Sequence, residues 1–319
     1  MARSIDSDSQ IGRRLRLRDL HLFFTVMQRG SMAKAASHLG ISQPGVSEVI
    51  ANLEHTLGVR LFDRSPQGVE PTIYGRAFLK RGLAAFDELK QGIRDIEFLS
   101  DPTSGELRIG CGVTTAAGIL APIIRQFSKA YPRVVLHYNE LPPPRRELQG
   151  LRDRAYDLVL GHLTTPLARE FLADDLNVEL LFDDPFVVMV GAQSPWMRRR
   201  KIDLADLVDA PWILSAPNTA NYSVIEQAFR GRNLPMPPVR IVTASVNVRV
   251  ELLANEPFVT AYPRSIAQRY ALNVLPVDLA GPRWSVGVVT LKNRTLSPVV
   301  ERFIEHLRDF AQSLRQGKQ

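Results

Sequence analysis

Residues 31–64 read SMAKAASHLGISQPGVSEVIANLEHTLGVRLFDR, and their spacing is that of two short helices crossing about a tight turn. Ala36 is small enough to let the helices approach, Gly40 can take the positive φ of the turn, and Ile41 and Val46 are placed to fill the crossing. Upstream, Leu20, Phe23, Phe24 and Met27 recur at helical spacing and give a supporting helix that ends near Gly30, where Ser31 can cap the next one. After the turn, Val46, Val49, Ile50, Leu53 and Leu57 form an inward stripe, leaving Gln43, Ser47, Glu48, Asn52 and His55 outward or flanking. An ordinary helical hairpin would show the same small and turn residues. The continuation separates the two. Leu57 to Arg64 is followed by the turn Ser65-Pro66-Gln67-Gly68 and by Val69 to Thr72, the pattern of a small β-wing beside a recognition helix.

The run Gly30-Ser31, Ala35-Ala36, Leu39 to Pro44, Val46-Ser47, Leu53-Glu54, Leu57 to Arg64 and Thr72 resembles the winged helix-turn-helix of LysR-type transcriptional regulators. Length and the later order of strands and helices resemble that family over nearly the whole chain. The resemblance implies an α+β protein in three parts: a winged helix-turn-helix at 15–72, a linker and dimerisation helix at 73–100, and an effector-binding region at 105–319 made of two α/β lobes of periplasmic-binding-protein type. It also implies double-stranded DNA, a small-molecule effector, a second copy of the chain (dimer or dimer of dimers) and RNA polymerase as partners, with no cofactor. Ser42, Gln43, Pro44, Ser47, Glu48, Asn52 and Arg64 are the DNA-binding candidates. One of them departs from the family, which often carries arginine after the Val-Ser pair where this chain has Glu48. A glutamate there can accept from cytosine N4, or stand as a surface residue that lowers affinity.

The composition agrees. A chain of 319 residues is long enough for two or three domains, and 45% hydrophobic with 23% charged residues is ordinary for a globular protein. A formal net charge of +7 favours an anionic partner such as DNA, although many basic proteins bind none. Arg13, Arg14, Arg16 and Arg18 precede the first helix and can reach a phosphate backbone or simply remain solvated. The single cysteine, Cys111, excludes an intramolecular disulfide and a Cys-rich zinc site, which fits a reducing cytoplasm. Residues 1–10 lack the apolar run of a signal peptide, and no stretch approaches a membrane span.

Thr72 can cap a long helix in which Leu79, Leu83, Phe86, Leu89, Ile93, Ile96 and Leu99 recur every three or four residues. Such a stripe needs a partner copy or its own domain to cover it. Asp101-Pro102-Thr103-Ser104-Gly105 then breaks the pattern, and an alternation of strands and helices begins. Strands are expected at 107–110, 134–138, 157–161, 186–190, 212–214, 239–242 and 258–261, with helices at 120–130, 145–154, 224–230 and 246–254. That alternation implies largely parallel sheets, which bind ligands beyond the carboxyl ends of their strands.

This rule, together with the resemblance loop by loop, selects Thr114, Thr115, His162, Asn218, Ser245 and Tyr262 as effector-binding candidates. Thr114 and Thr115 can instead cap the helix they open, and a lone histidine is more often a satisfied polar group. Ser215, Thr164 and Thr165 lie at the same strand ends. Leu141-Pro142-Pro143-Pro144-Arg145-Arg146 replaces the short polar loop usual in the family, and its arginines can reach an anion or face water. An organic acid is therefore the expected effector class. No P-loop, nucleophile elbow, zinc-binding His pair or dinucleotide-binding glycine pattern suggests an enzyme. A solute-binding protein without a DNA role is the alternative, and it leaves residues 13–72 unexplained.

Overall fold

The computed structural model describes residues 15–65, 68–141, 147–164, 175–217, 219–279, 281 and 284–315. The chain divides into two compact units, one through Lys90 and the other from Gln91.

In the first unit, α1 (Leu17–Arg29), α2 (Met32–Leu39) and α3 (Gln43–Leu57) pack around Phe23, Val26, Ala35, Val46 and Ile50, each fully buried. Gly30, Gly40 and Gly58 end the three helices in the left-handed region, as the turn between α2 and α3 required of Gly40. Ser31 stands at the start of α2 but its side chain makes no capping bond, contrary to the sequence expectation. Ser42 does cap α3, its Oγ accepting from the Gly45 N–H at 3.3 Å. Strands β1 (Phe62–Ser65) and β2 (Gly68–Pro71) form the antiparallel wing. The turn residues Pro66 and Gln67 lie outside the described residues. The wing is pinned to α1: Val69 N–H donates to the Gly30 carbonyl at 3.0 Å, and a Cβ on Gly68 would meet that same oxygen at 2.5 Å.

Helix α4 (Ile73–Ser100) begins where Thr72 Oγ1 accepts from the Gly75 N–H at 3.1 Å and donates to the Arg60 carbonyl at 2.7 Å. Its first half packs on the first unit, with Phe78 and Leu79 against that core and Gly82 under the Phe24 ring. The division between units falls inside this helix.

In the second unit, β3 (Ser104–Cys111), β4 (Arg133–Glu140), β5 (Leu158–Thr164), β6 (Leu176–Asp183) and β12 (Trp284–Leu291) form one sheet in the order β4-β3-β5-β12-β6. Strands β7 (Phe186–Val190), β8 (Trp212–Leu214), β9 (Val239–Val242), β10 (Val259–Pro263) and β11 (Asn273–Val274) form the other, ordered β11-β7-β10-β8-β9. Each sheet is mixed, which corrects the expectation of largely parallel sheets. β12 runs antiparallel to β5 and β6, and β7 antiparallel to β10 and β11. The chain therefore crosses between lobes at Asp184 and returns before Trp284, and the two crossings meet where the Asp184 N–H donates to the Trp284 carbonyl at 2.8 Å.

The first lobe is covered by α5, which runs Val113–Thr115, through a π-helical stretch Ala116–Leu120, into Ala121–Ala130, and by α6 (Glu147–Arg152) and the terminal helix α10 (Pro298–Arg315). The second lobe carries α7 (Ala220–Arg230), α8 (Val246–Asn255) and α9 (Arg264–Tyr270). Cys111 is wholly buried in β3, as a small apolar residue would be.

The end of α4 is tied to the first lobe through Asp157, whose side chain is 1% exposed. The carboxylate accepts from Arg108 Nη2 at 3.0 Å and its N–H at 2.8 Å, from Arg294 Nη2 at 2.8 Å, and from Arg94 of α4 at 3.4 Å. Burial by itself would raise this carboxyl's pKa. The hydrogen bonds and charge of Arg108, joined by the charge of Arg294, outweigh it and hold the group below its usual range.

Candidate DNA interface and effector cavity

Capping of α3 by Ser42 and the αL turn at Gly40 fix the start of the recognition helix, so its outer face is set by the register of Val46, Ile50 and Leu53 in the core. Gln43, Pro44, Glu48 and Asn52 are exposed on that face, with Ser42 beside them. Ser47 is different. It is half-buried, and its hydroxyl donates to the Met32 Sδ of α2 at 3.4 Å, so it joins the two helices of the motif. Arg64 on the wing is about half exposed and lies 3.8 Å from Glu54 Oε2. Glu54, to which sequence reasoning gave no task, has the most consequential contacts here. Its Oε1 accepts from the N–H groups of Leu61 (2.7 Å) and Phe62 (3.2 Å), joining the recognition helix to the first strand of the wing. Arg13 and Arg14 lie outside the described residues, whereas Arg16 precedes α1 and Arg18 falls within its first turn.

The second site is a cavity of about 160 Å³ between the start of α5, the end of β5 and the start of α7. Thr114, Thr115 and His162 line it, with Asn221 from the second lobe, and its walls include Leu141, Leu148, Val159, Leu163, Trp284 and Val289. On the scale of liquid water it has room for about five molecules. The threonines do not cap α5; Gly112 occupies the cap position with no side-chain bond, so the first N–H groups of the helix keep their donor capacity.

Behind the cavity runs a buried polar chain. Thr115 Oγ1 lies 2.8 Å from His162 Nδ1, and His162 Nε2 lies 2.9 Å from Asp184 Oδ2. Asp184 also accepts from the Ser265 hydroxyl at 2.6 Å and from its N–H at 2.9 Å. The His162 and Asp184 side chains are 7% and 4% exposed. Both ring nitrogens of His162 are therefore taken by protein groups, and the chain stitches α5 and β5 of one lobe to the crossover and to α9 of the other. Gly118 allows this closeness, since a Cβ there would meet Ser265 Oγ at 2.5 Å.

The remaining candidates lie elsewhere. Ser245 caps α8 by accepting from the Val248 N–H at 3.3 Å, and it is not among the residues lining the cavity. Tyr262 is buried against Val187, Met189 and Ile266 and lies under the Arg249 guanidinium at 4.5 Å. Burial pushes its hydroxyl up to about 12, against the opposing charge of Arg249. Arg249 itself is 1% exposed and donates to Ser215, Thr260 and the Thr243 carbonyl. Burial lowers its pKa. Asn218, Thr165, Arg145 and Arg146 lie outside the described residues. Sequence reasoning missed Asn221, Asp184 and Ser265. Their one sequence-level signal is placement at strand ends and helix starts, which many polar residues share.

Residues 17–76 match the family model of the bacterial regulatory helix-turn-helix protein, lysR family, and residues 100–312 match that of the LysR substrate binding domain. The chain is 30% identical over 307 residues to the transcriptional regulator GbpR of Azospirillum brasilense, covering 92% of this chain and 86% of that one. It is 28% identical over 308 residues to the regulator YdcI of Escherichia coli K12, covering 95% and 98%. Among solved structures it resembles full-length OxyR from Pseudomonas aeruginosa, with TM-score 0.64, 22% identity and coverage of 93% and 95%. Full-length BenM gives TM-score 0.52, 22% identity and coverage of 96% and 99%. The helix-turn-helix match favours a DNA-binding regulator over a solute-binding protein without a DNA role, and the chain belongs to the LysR family of DNA-binding transcriptional regulators with an effector-binding domain.

Proposed function

We propose that α3 reads operator DNA through Ser42, Gln43, Pro44, Glu48 and Asn52, with Arg64 on the wing, and that a small molecule in the 160 Å³ cavity controls this binding. The observation that carries the reading is the cavity itself: it is lined from both lobes and lies beside the uncapped start of α5, so an occupant would touch parts on either side of the lobe crossover. Thr114, Thr115 and His162 are its polar wall on the first lobe. An organic acid is the effector class best matched to a helix start that has no side-chain cap among the described residues. The protein acts as a homo-oligomer in the cytoplasm, recruits or blocks RNA polymerase according to the effector, and carries out no chemistry of its own.

Two measurements test this. Calorimetric titration of the full chain with panels of organic acids and of neutral metabolites should show binding by acids; binding by neutral compounds alone overturns the effector class. Operator selection with Glu48→Ala should relax preference at one base pair by about 1–3 kcal/mol. Unchanged selectivity removes Glu48 from the reading set.

A further inference from the structure

The contacts of His162 with Asp184 and Thr115 bear on what the effector cavity asks of its ligand. A carboxylate only accepts hydrogen bonds, so the 2.9 Å contact to Asp184 Oδ2 places a proton on His162 Nε2. In the neutral ring Nδ1 is then bare, and at 2.8 Å it accepts the Thr115 hydroxyl proton. Thr115 Oγ1 is left with lone pairs and no proton to offer the cavity it lines. That oxygen wants a donor, within walls formed by Leu141, Leu148, Val159, Leu163 and Val289.

We infer that the effector is a small hydroxylated acid, with an apolar body and a hydroxyl that donates to Thr115 Oγ1. The inference rests on the effector-site reading above. A hydroxyl fits better than an ammonium, because no carboxylate is found among the described residues lining the cavity and an unpaired charge there would be costly. Asp184 is a positioning residue in this scheme. It lies outside the cavity lining and acts through His162.

The test uses the full-length protein and matched probes: 3-hydroxybutanoate against butanoate, and 2-hydroxy-3-methylbutanoate against 3-methylbutanoate, titrated calorimetrically. The hydroxylated member of at least one pair should bind about tenfold tighter or more. Thr115→Val should abolish that preference and Thr115→Ser retain it. In Asp184→Asn, the amide can donate to Nε2, so the ring turns to the Nδ1–H form, Thr115 regains a free proton, and the preference falls or inverts. Imidazole ¹⁵N spectra assigned with His162→Gln read the tautomer directly, without any ligand. A proton on Nδ1 with a bare Nε2 in the unsubstituted protein overturns the inference even if the Thr115 variants fail to fold. Equal binding within both pairs overturns the ligand class and leaves the cavity reading standing, whereas no binding by any probe counts against both.

Discussion

Glu54 and Asp157 show how much of this molecule rests on single carboxylates whose task lies in where the chain returns. Glu54 was visible in the sequence as part of the Leu53-Glu54 pair, but its acceptors' partners are the backbone N–H groups of Leu61 and Phe62, which no side-chain pattern announces. Glu54→Ala leaves two donors at the wing's first strand without that acceptor. It should lower the stability of the DNA-binding unit by about 1–3 kcal/mol in thermal melts. Operator affinity should fall with it, since the wing loses its tie to α3. Asp157 carries a pH dependence. Its folded-state pKa is lowered from 3.8, so the stability it contributes is present above that value and is lost as pH falls through the folded one. Acid titration of the full chain should show loss of structure in the regulatory unit below about pH 4. Asp157→Asn should flatten that limb and cost about 3–5 kcal/mol at neutral pH, because Arg294 is left buried without its carboxylate.

At the level of elements, α4 is the helix whose periodicity was easiest to read and whose stripe is least satisfied within one chain. Phe78 and Leu79 pack on the first unit, and Phe98 on the core of the first lobe. Leu89, Ile93, Ile96 and Leu99 are 48–80% exposed. Four large apolar side chains along one helix are expected to be covered by another copy of α4. Ile93→Glu and Ile96→Glu should each raise the dissociation constant of self-association about tenfold or more in sedimentation runs. Thermal stability of the separated chain should stay unchanged, since these side chains are already in water. The strands tell the opposite story. β12 is buried along its whole length, so it shows no alternation, and nothing local reveals that it inserts antiparallel between β5 and β6. β6 and β11, which are not wholly buried, also escaped notice, because an edge strand is defined by partners distant in sequence.

Over the whole molecule, control requires that occupancy of the cavity alter how recognition helices meet DNA. Strand β5 offers a physical link within the regulatory unit, with His162 at the cavity near one end and Asp157, bonded to Arg94 of α4, just before the other. Footprints with and without a bound effector should therefore differ in extent or in DNA bending. Identical footprints would mean the cavity's occupant does not reach the DNA-binding part. The sequence by itself determined the recognition motif, the long helix and the alternation that forms two lobes, because these follow from spacings of a few residues. The mixed sheets, the Thr115–His162–Asp184–Ser265 chain, Arg249 beneath the second sheet and the withdrawal of Ser245 and Tyr262 from the cavity were decided only in three dimensions. Each depends on groups distant in sequence, 11 to 81 residues apart in these side-chain bonds and farther still where β12 pairs with β5, and local periodicity carries no information about such meetings.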